Sequence, residues 1–398
     1  MALEVVLPRC RGFMCTNAHP VGCETMVRRQ IAAASRDETA RAGGTLLVVG
    51  ASTGYGLASR IAGAFGHGMD SVGVFYERPA SERRSASAGW YNAAAFQRAA
   101  REQAVGAWSL NGDAFSREVL GETLALVGDR LGPLDVFIYS VAAPARTDPE
   151  TGEVHRSALK TIGQPFTTRT IDLMSGRIET VTLEAAGEAE IASTVAVMGG
   201  ADLRRWCEGL LAADLLAPGA RIVAYSYIGP RVTWPVYRRG TIGRAKEHLE
   251  ATAAALHERV ARSAGGSCRV AICKSIVSQA AVVIPAVPLY MSLLFRVMKE
   301  AGTHEGPIEQ MLRLFDDHIG PGRTARLDAE GRIRLDDLEM QPEIQAEVMR
   351  RWQRVTDANL NDLSDWAGFA RYLRQLFGFD VPGVDYDRPV ETDVALEG

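Results

Sequence analysis

The sequence predicts an α/β protein built on a doubly wound parallel sheet, and three observations lead there. Residues Thr45–Gly50, TLLVVG, form a continuous apolar run without alternation, the pattern of a strand buried on both faces. A glycine turn, Gly50-Ala51-Ser52-Thr53-Gly54-Tyr55-Gly56, follows at once and opens the amphipathic run LASRIAGAF. Further apolar runs recur at strand–helix–strand intervals: Val72–Glu77, Trp108–Asn111 and Val136–Ser140, then Ile222–Tyr227 and Arg269–Val277. Together these describe a Rossmann-type sheet.

The glycine turn is the most specific local signal. Small residues let the backbone approach a pyrophosphate, and the start of the following helix offers free N–H groups and a positive dipole end. The spacing is G-x3-G-x-G rather than G-x-G-x2-G, and its place between a buried strand and a helix gives it meaning. Glu77 ends the next predicted strand. A carboxylate there accepts hydrogen bonds from adenosine ribose hydroxyls and repels a 2′-phosphate, which favours NAD over NADP, while the neighbouring Arg78 pulls the other way. An exposed ion pair would read the same. Because strand carboxyl ends face the cofactor in such sheets, Asp113 with Ala114 belong near the adenine, and Val141 with Ala142 near the ribose and nicotinamide.

Arg221–Glu250 carries the chemistry: a strand, a loop with Tyr225, Tyr227 and Tyr237, and a helix opened by Gly240 and Thr241 that runs to roughly Ser263. Thr241 reads as the N-cap, and Gly265 with Gly266 as the stop. Tyr237 and Lys246 are spaced Tyr-x8-Lys, about two and a half helical turns, so one helix would put them on opposite faces. They can serve one site if Tyr237 lies on the loop and folds back, a path that Gly240 and Gly243 permit. A tyrosine hydroxyl can give a hydrogen bond or a proton to an oxygen that turns anionic as hydride arrives, and an ammonium nearby lowers its pKa. Spacing alone equally allows structural tyrosines and a solvated lysine.

Composition excludes other classes. The 398 residues are 47% hydrophobic and 23% charged with formal net charge −4, which fits a globular protein and offers no stripe for nucleic acid or patch for a membrane surface. The chain lacks a run of about 20 apolar residues and a signal-peptide start, so a cytoplasmic location is expected. Six cysteines are too few and too uneven for a disulfide framework, and Cys10, Cys15, His19 and Cys23 match no zinc-knuckle spacing, so no metal is expected. Flavin-specific motifs are likewise missing. The chain divides as one enlarged domain: a covering segment over 1–40, a first cofactor-binding half over 45–144, an insertion forming a substrate-side cap over 145–200, a catalytic half over 201–300 and a helical extension over 305–398. The polar stretch 78–88 reads as a mobile loop. IPAVPLYMSLLFRVMKE reads as core or as the wall of an acyl-chain cleft.

RGFMCTNAHPVGC, GASTGYG, GWYNAAAF at 89–96, NGDAFS, YSVAAP, AYSYIGP, TWPVY with GTIGRAK, and PLYMSLLFRVMKEAGTHEG together closely resemble the FabV-type trans-2-enoyl-CoA reductases, bacterial enoyl-thioester reductases. The resemblance spans nearly the whole chain. It implies a monomeric, enlarged relative of the short-chain dehydrogenase fold that uses NADH to reduce the C2–C3 double bond of a trans-2-enoyl thioester of coenzyme A or acyl carrier protein. It implies Tyr237 as proton donor, Lys246 as the cofactor-contacting lysine and Tyr227 as a substrate contact. The implied cofactor positions are Gly50, Ala51, Ser52, Thr53, Gly54, Tyr55, Tyr76, Glu77, Asp113, Ala114, Val141, Ala142, Ser275, Ile276 and Val277. Ser278 stands where relatives often carry threonine. A 3-oxoacyl reductase on the same scaffold and a non-catalytic NAD sensor are the alternatives.

Overall fold

The structure, a computed structural model, describes residues 3–12, 14–36, 42–82 and 84–396. Residues 1–2, 13 and 37–40 of the expected covering segment, Arg83 and residues 397–398 lie outside them. Among the described residues a seven-stranded parallel sheet forms from β1 (Thr45–Val49), β2 (Asp70–Phe75), β3 (Ala107–Asn111), β4 (Leu134–Tyr139), β5 (Leu216–Ser226), β6 (Ser267–Ile272) and β7 (Ile333–Arg334). Their order is β7-β6-β5-β4-β1-β2-β3, all neighbours running parallel. The winding reverses between β1 and β4, and in open α/β sheets ligands bind outside the strand ends at that crevice.

The unbroken apolar run of β1 is explained by its neighbours. Leu46 and Val48 face one layer of helices and Leu47 and Val49 the other, so neither face of the strand meets water. Helices α1 (Pro20–Ala34), α2 (Gly54–Ile61) and α3 (Ala88–Glu102) cover the first face. On the second face lie α4 (Arg117–Arg130), then, beyond α5 (Glu188–Met198), α6 (Ala201–Ala212). After a single helical turn, α7 (Trp234–Tyr237), the long α8 (Thr241–Ala264) completes that face. The last helices are α9 (Val287–Glu300), α10 (Pro307–Leu314), α11 (Pro342–Arg354) and α12 (Trp366–Gln375). The apolar run before Lys299 is α9, whose buried side chains meet Trp352, Trp366 and Phe369, so it is core.

Several boundaries differ from the sequence expectation. β2 stops at Phe75, because the Glu77 N–H and carbonyl leave the ladder to pair with the Asn111 amide (2.7 and 2.9 Å). β5 begins at Leu216 and carries an irregularity before Arg221, so it is longer than Ile222–Tyr227. β6 ends at Ile272 rather than Val277: the amides of Lys274 and Ser275 donate to the side chains of Gln310 (2.8 Å) and Glu339 (2.7 Å) instead of a strand. β7 comes from the C-terminal extension and is too short to leave a pattern. Thr241 is not the N-cap of α8; Gly240 is, and the Thr241 hydroxyl donates to Ala158 of the insertion. Gly265 does end α8, in the left-handed conformation at φ 62°.

The insertion folds into two hairpins, Ala145–Thr147 with Val154–Arg156 and Phe166–Ile171 with Ile178–Leu183, followed by α5. The 78–88 stretch is closed by mutual bonds of Arg78 and Ser87 and of Ser81 and Arg84. At the amino end, Cys10 and Cys15 are joined by a disulfide across a small hairpin, a pairing the cysteine spacing did not reveal. Among the described residues no helix is long and apolar enough to cross a membrane. One stability result follows from local geometry. The Ser116 hydroxyl caps α4 by accepting from the Val119 N–H at 3.0 Å. Ser116→Ala is expected to lower unfolding free energy by about 1 kcal/mol in urea titration.

Candidate active site

The glycine turn closes tightly for reasons its atoms show. A Cβ on Gly50 would lie 2.1 Å from the Ser140 carbonyl oxygen, and one on Gly56 would lie 1.9 Å from the Gly50 carbonyl oxygen. Gly50 and Gly54 also sit at φ 92° and 54°, where side-chain-bearing residues are strained. The turn therefore hugs the end of β4 and delivers the amino end of α2 to the crevice between β1 and β4. Beside it, Ser52 Oγ donates to Glu77 Oε1 at 2.7 Å, and Asn92 holds the Ser52 carbonyl at 3.1 Å. A carboxylate fixed against a phosphate-sized cradle fits a dinucleotide with a free 2′-hydroxyl. Tyr76 is 78% exposed, and the Tyr55 hydroxyl turns inward to the Lys274 carbonyl and to Gln310 (2.9 Å).

The loop after β3 is equally determined. Asp113 accepts from the Phe115 N–H at 2.9 Å, and the Ala114 carbonyl accepts from Arg205 (2.5 Å) and from the Trp206 indole (3.2 Å). Arg205 is itself held by Asp202, whose second oxygen accepts from Tyr139 at the end of β4. Asp202, Arg205 and Trp206 left no motif in the sequence, yet they fix the loop after β3 to the strand that precedes Val141 and Ala142.

The tyrosines separate where the strand stops, Tyr225 lying inside β5 and Tyr227 beyond its end. The Tyr225 hydroxyl meets Ser59 (2.6 Å) and Met311 (3.0 Å), so it belongs to the core and not to the site. Tyr227 lies one residue past β5, and its ring packs edge-on against Tyr237 with centroids 4.8 Å apart. Tyr237 is the last residue of α7, off the α8 helix, which solves the spacing problem. The path back into α8 needs glycine: a Cβ on Gly243 would fall 2.2 Å from the Arg238 carbonyl oxygen. Lys246 Nζ donates to Ser226 Oγ at 3.2 Å. Lysine and tyrosine thus reach the site through consecutive residues at the end of β5, Ser226 and Tyr227.

Their electrostatics differ from the sequence expectation in one respect. Burial, followed by the charge of Glu339, pushes the Tyr237 phenol up rather than down, so it stays protonated and able to donate. Burial lowers Lys246 from the ordinary lysine value of 10.5 to about 8. The Tyr227 hydroxyl donates to Glu339 Oε1 (3.0 Å) and accepts from Ser275 Oγ (3.0 Å). Sequence reasoning missed Ser226 and Glu339. Glu339 lies in the C-terminal extension, far along the chain from any motif, and only the tertiary fold brings it here.

Family comparison now decides what this arrangement is part of. A sequence model described as the trans-2-enoyl-CoA reductase catalytic region matches residues 84–319, and one described as the NAD(P)H binding domain of trans-2-enoyl-CoA reductase matches residues 5–82. The chain belongs to the trans-2-enoyl-CoA reductase family. It is 50% identical over 98% of its length to all of an enoyl-[acyl-carrier-protein] reductase [NADH] of Opitutus terrae. It is 47% identical to a trans-2-enoyl-CoA reductase [NADH] of Ruminiclostridium cellulolyticum, over 99% of each chain. Among solved structures, the trans-2-enoyl-CoA reductase of Clostridium acetobutulicum in complex with NADH superimposes with TM-score 0.95 at 38% identity, covering 99% of this chain and 100% of that one. The Treponema denticola enzyme in complex with NAD gives 0.93 at 40%, with the same coverage.

A third model, described as the enoyl reductase FAD binding domain, matches residues 327–390. The residues there do not fit a flavin diphosphate. Helix α11 opens on Pro342, which has no N–H to offer, and α12 opens beside Asp365, an anion where a phosphate would need the positive end. Arg332, Arg334, Arg351 and Arg374 are engaged by carboxylates.

The position of Glu77 yields a cofactor prediction. Glu77→Ala is expected to weaken NADH binding about 10-fold through loss of a charged acceptor, and to shift preference toward NADPH. Fluorescence titration with both nucleotides checks it.

Proposed function

We propose that this chain is an NADH-dependent reductase of trans-2-enoyl thioesters, acting on the coenzyme A or acyl-carrier-protein ester in the last reductive step of fatty acid elongation. The observation that carries it is the buried Tyr237 phenol. It is held against Tyr227 at the same sheet end that presents the Gly50–Gly56 cradle, in a chain whose full-length relatives bear the names given above.

Bound in that cradle, NADH supplies a hydride from its nicotinamide. The residues around the turn, Gly50, Ala51, Ser52, Thr53 and Gly54, hold the diphosphate by backbone approach, while Glu77 takes the adenosine ribose. Asp113, Ala114, Val141, Ala142, Ser275, Ile276 and Val277 line the remaining strand ends, and Tyr55 contributes through its backbone because its hydroxyl is bonded inward. When hydride reaches C3 of the enoyl group, negative charge collects on the thioester oxygen. Tyr237, kept neutral by burial, gives that oxygen a hydrogen bond or its proton, the enolate or enol so formed takes a proton at C2 to give the saturated thioester, and the thioester lies between Tyr237 and Tyr227. Lys246 places its ammonium beside Ser226 to hold the cofactor ribose. Val277, Val282 and Ile284, ahead of α9, share one apolar cluster with Tyr237 and supply a wall for the acyl chain. The same reading makes the enzyme a cytoplasmic monomer, in keeping with the absence of a membrane-crossing helix among the described residues.

Absorbance assays with NADH and crotonyl-CoA test the proposal. NADH-dependent loss of signal supports it, and turnover of only a 3-oxoacyl thioester would replace it with the carbonyl reductase reading.

A further inference from the structure

Behind Tyr227 lies a buried polar cluster that the reaction as described does not use. Glu339, in the turn between β7 and α11, is fully buried, at 0% exposure. Its Oε1 accepts from the Tyr227 hydroxyl (3.0 Å) and the Tyr290 hydroxyl (2.7 Å), and its Oε2 from the Ser275 N–H (2.7 Å). Three donors on one side chain are satisfied by a carboxylate, which only accepts, and one would be turned away by a protonated acid. Lys274, 1% exposed, is the nearby countercharge; its ammonium donates to the Ser275 carbonyl (3.0 Å) and lies 4.7 Å from the centre of the Phe295 ring.

The consequence concerns geometry at the reacting end. A tyrosine hydroxyl has one proton, and that of Tyr227 is committed to Glu339 while its oxygen accepts from Ser275. The same carboxylate grips the amide of the loop after β6, one of the segments that lines the cofactor crevice. Tyr227 in turn is the ring on which Tyr237 rests. Glu339 therefore joins three elements: the end of β5, the loop after β6, and α9 through Tyr290. Gln345 completes the arrangement by donating to the Tyr290 hydroxyl (3.0 Å) and the Glu339 carbonyl (2.7 Å).

We propose that Glu339 is a positioning residue of the reaction, its buried carboxylate fixing the Tyr227 hydroxyl and, through its other oxygen, registering the tyrosine pair against the Ser275 amide. This rests on the enoyl-thioester reductase reading. It gives the C-terminal extension, which carries no catalytic motif, a defined part in the chemistry, since the extension supplies the acceptor that aims a site tyrosine. Replacing the carboxylate by an amide turns its NH2 either toward the Ser275 N–H or toward the two tyrosine hydroxyls, and a hydroxyl can swing away where a backbone N–H cannot. The cheapest arrangement keeps the amide oxygen on the backbone N–H of Ser275 and releases Tyr227.

The test is a double-mutant cycle on kcat/KM for crotonyl-CoA with NADH, using wild type, Glu339→Gln, Tyr227→Phe and the double variant, with NADH affinity by fluorescence and melting temperature measured beside it. Glu339→Gln is expected to lower kcat/KM about 10- to 100-fold, to change the NADH Kd by less than about 3-fold, and to cost no more than about 3-fold once the Tyr227 hydroxyl is absent. Glu339→Asp keeps the charge but shortens the reach by one methylene, so it cannot span Tyr227 and Ser275 together; it runs through the same cycle with the same expectation and decides the matter if the glutamine variant does not fold. A loss of equal size in both tyrosine backgrounds, or wild-type kcat/KM in both Glu339 variants, overturns the proposal. An inactive wild type overturns the reductase reading itself, and with it this inference, whereas an active wild type with indifferent variants overturns the inference alone.

Discussion

Tyr237→Phe is expected to lower turnover of an enoyl thioester by about 10²- to 10³-fold, or roughly 3 to 4 kcal/mol of transition-state stabilisation. The phenol is 7% exposed, and burial keeps it protonated, which leaves it a donor for the oxygen that becomes anionic in the proposed reaction. Phenylalanine keeps the edge-on packing against Tyr227 and removes only the donor. The NADH Kd is therefore expected to stay within about 3-fold, because the interaction lost is made only as charge develops. Steady-state kinetics with fluorescence titration separates the two. An equal loss in NADH affinity would make Tyr237 a cofactor-binding residue.

Lys246→Met carries the second large effect and moves activity and stability in opposite directions. The side chain is half-buried and its ammonium desolvated, its value falling from 10.5 to about 8. Because the native value lies below the unfolded one, the unfolded chain binds more protons between those limits. Stability from this group therefore rises with pH across that window and is lowest below about 8, where the desolvated charge is present. Activity runs the other way. If the ammonium holds the cofactor, kcat/KM falls as pH rises through about 8, a basic limb that reports the free enzyme. The methionine variant is expected to lose about 10²-fold in kcat/KM, to lose that limb, and to unfold at no lower urea concentration than wild type. A variant that melts early but keeps its pH profile would make Lys246 a structural residue.

How far the sequence could be read depended on where each constraint resides. The glycine turn was legible because close backbone approach dictates residue type locally: Gly50 and Gly56 admit no Cβ. The strands of the first half were legible because β1 must be apolar on both faces. The separation of Tyr237 from the α8 helix followed from arithmetic on Tyr-x8-Lys, and the structure meets it with the turn of α7. What escaped was set by partners distant in sequence. β6 stops short because Gln310 and Glu339 claim the amides beyond it, and Thr241 is drawn from the cap position by Ala158 of the insertion. The place of Tyr225 was not readable, since a period of two puts it on the same face as Tyr227, and only the end of β5 at Ser226 and the partners each ring meets tell them apart.

The proposed function rests on transfer of hydride from NADH to C3 of an enoyl thioester. The most direct measurement supplies NADH deuterated at the transferring position with crotonyl-CoA and determines the product by mass spectrometry and NMR. The expected product is butyryl-CoA with one deuterium at C3, formed by wild type and barely by the Tyr237→Phe variant. Deuterium at C2, or an unchanged crotonyl ester beside a reduced 3-oxoacyl ester, would contradict it.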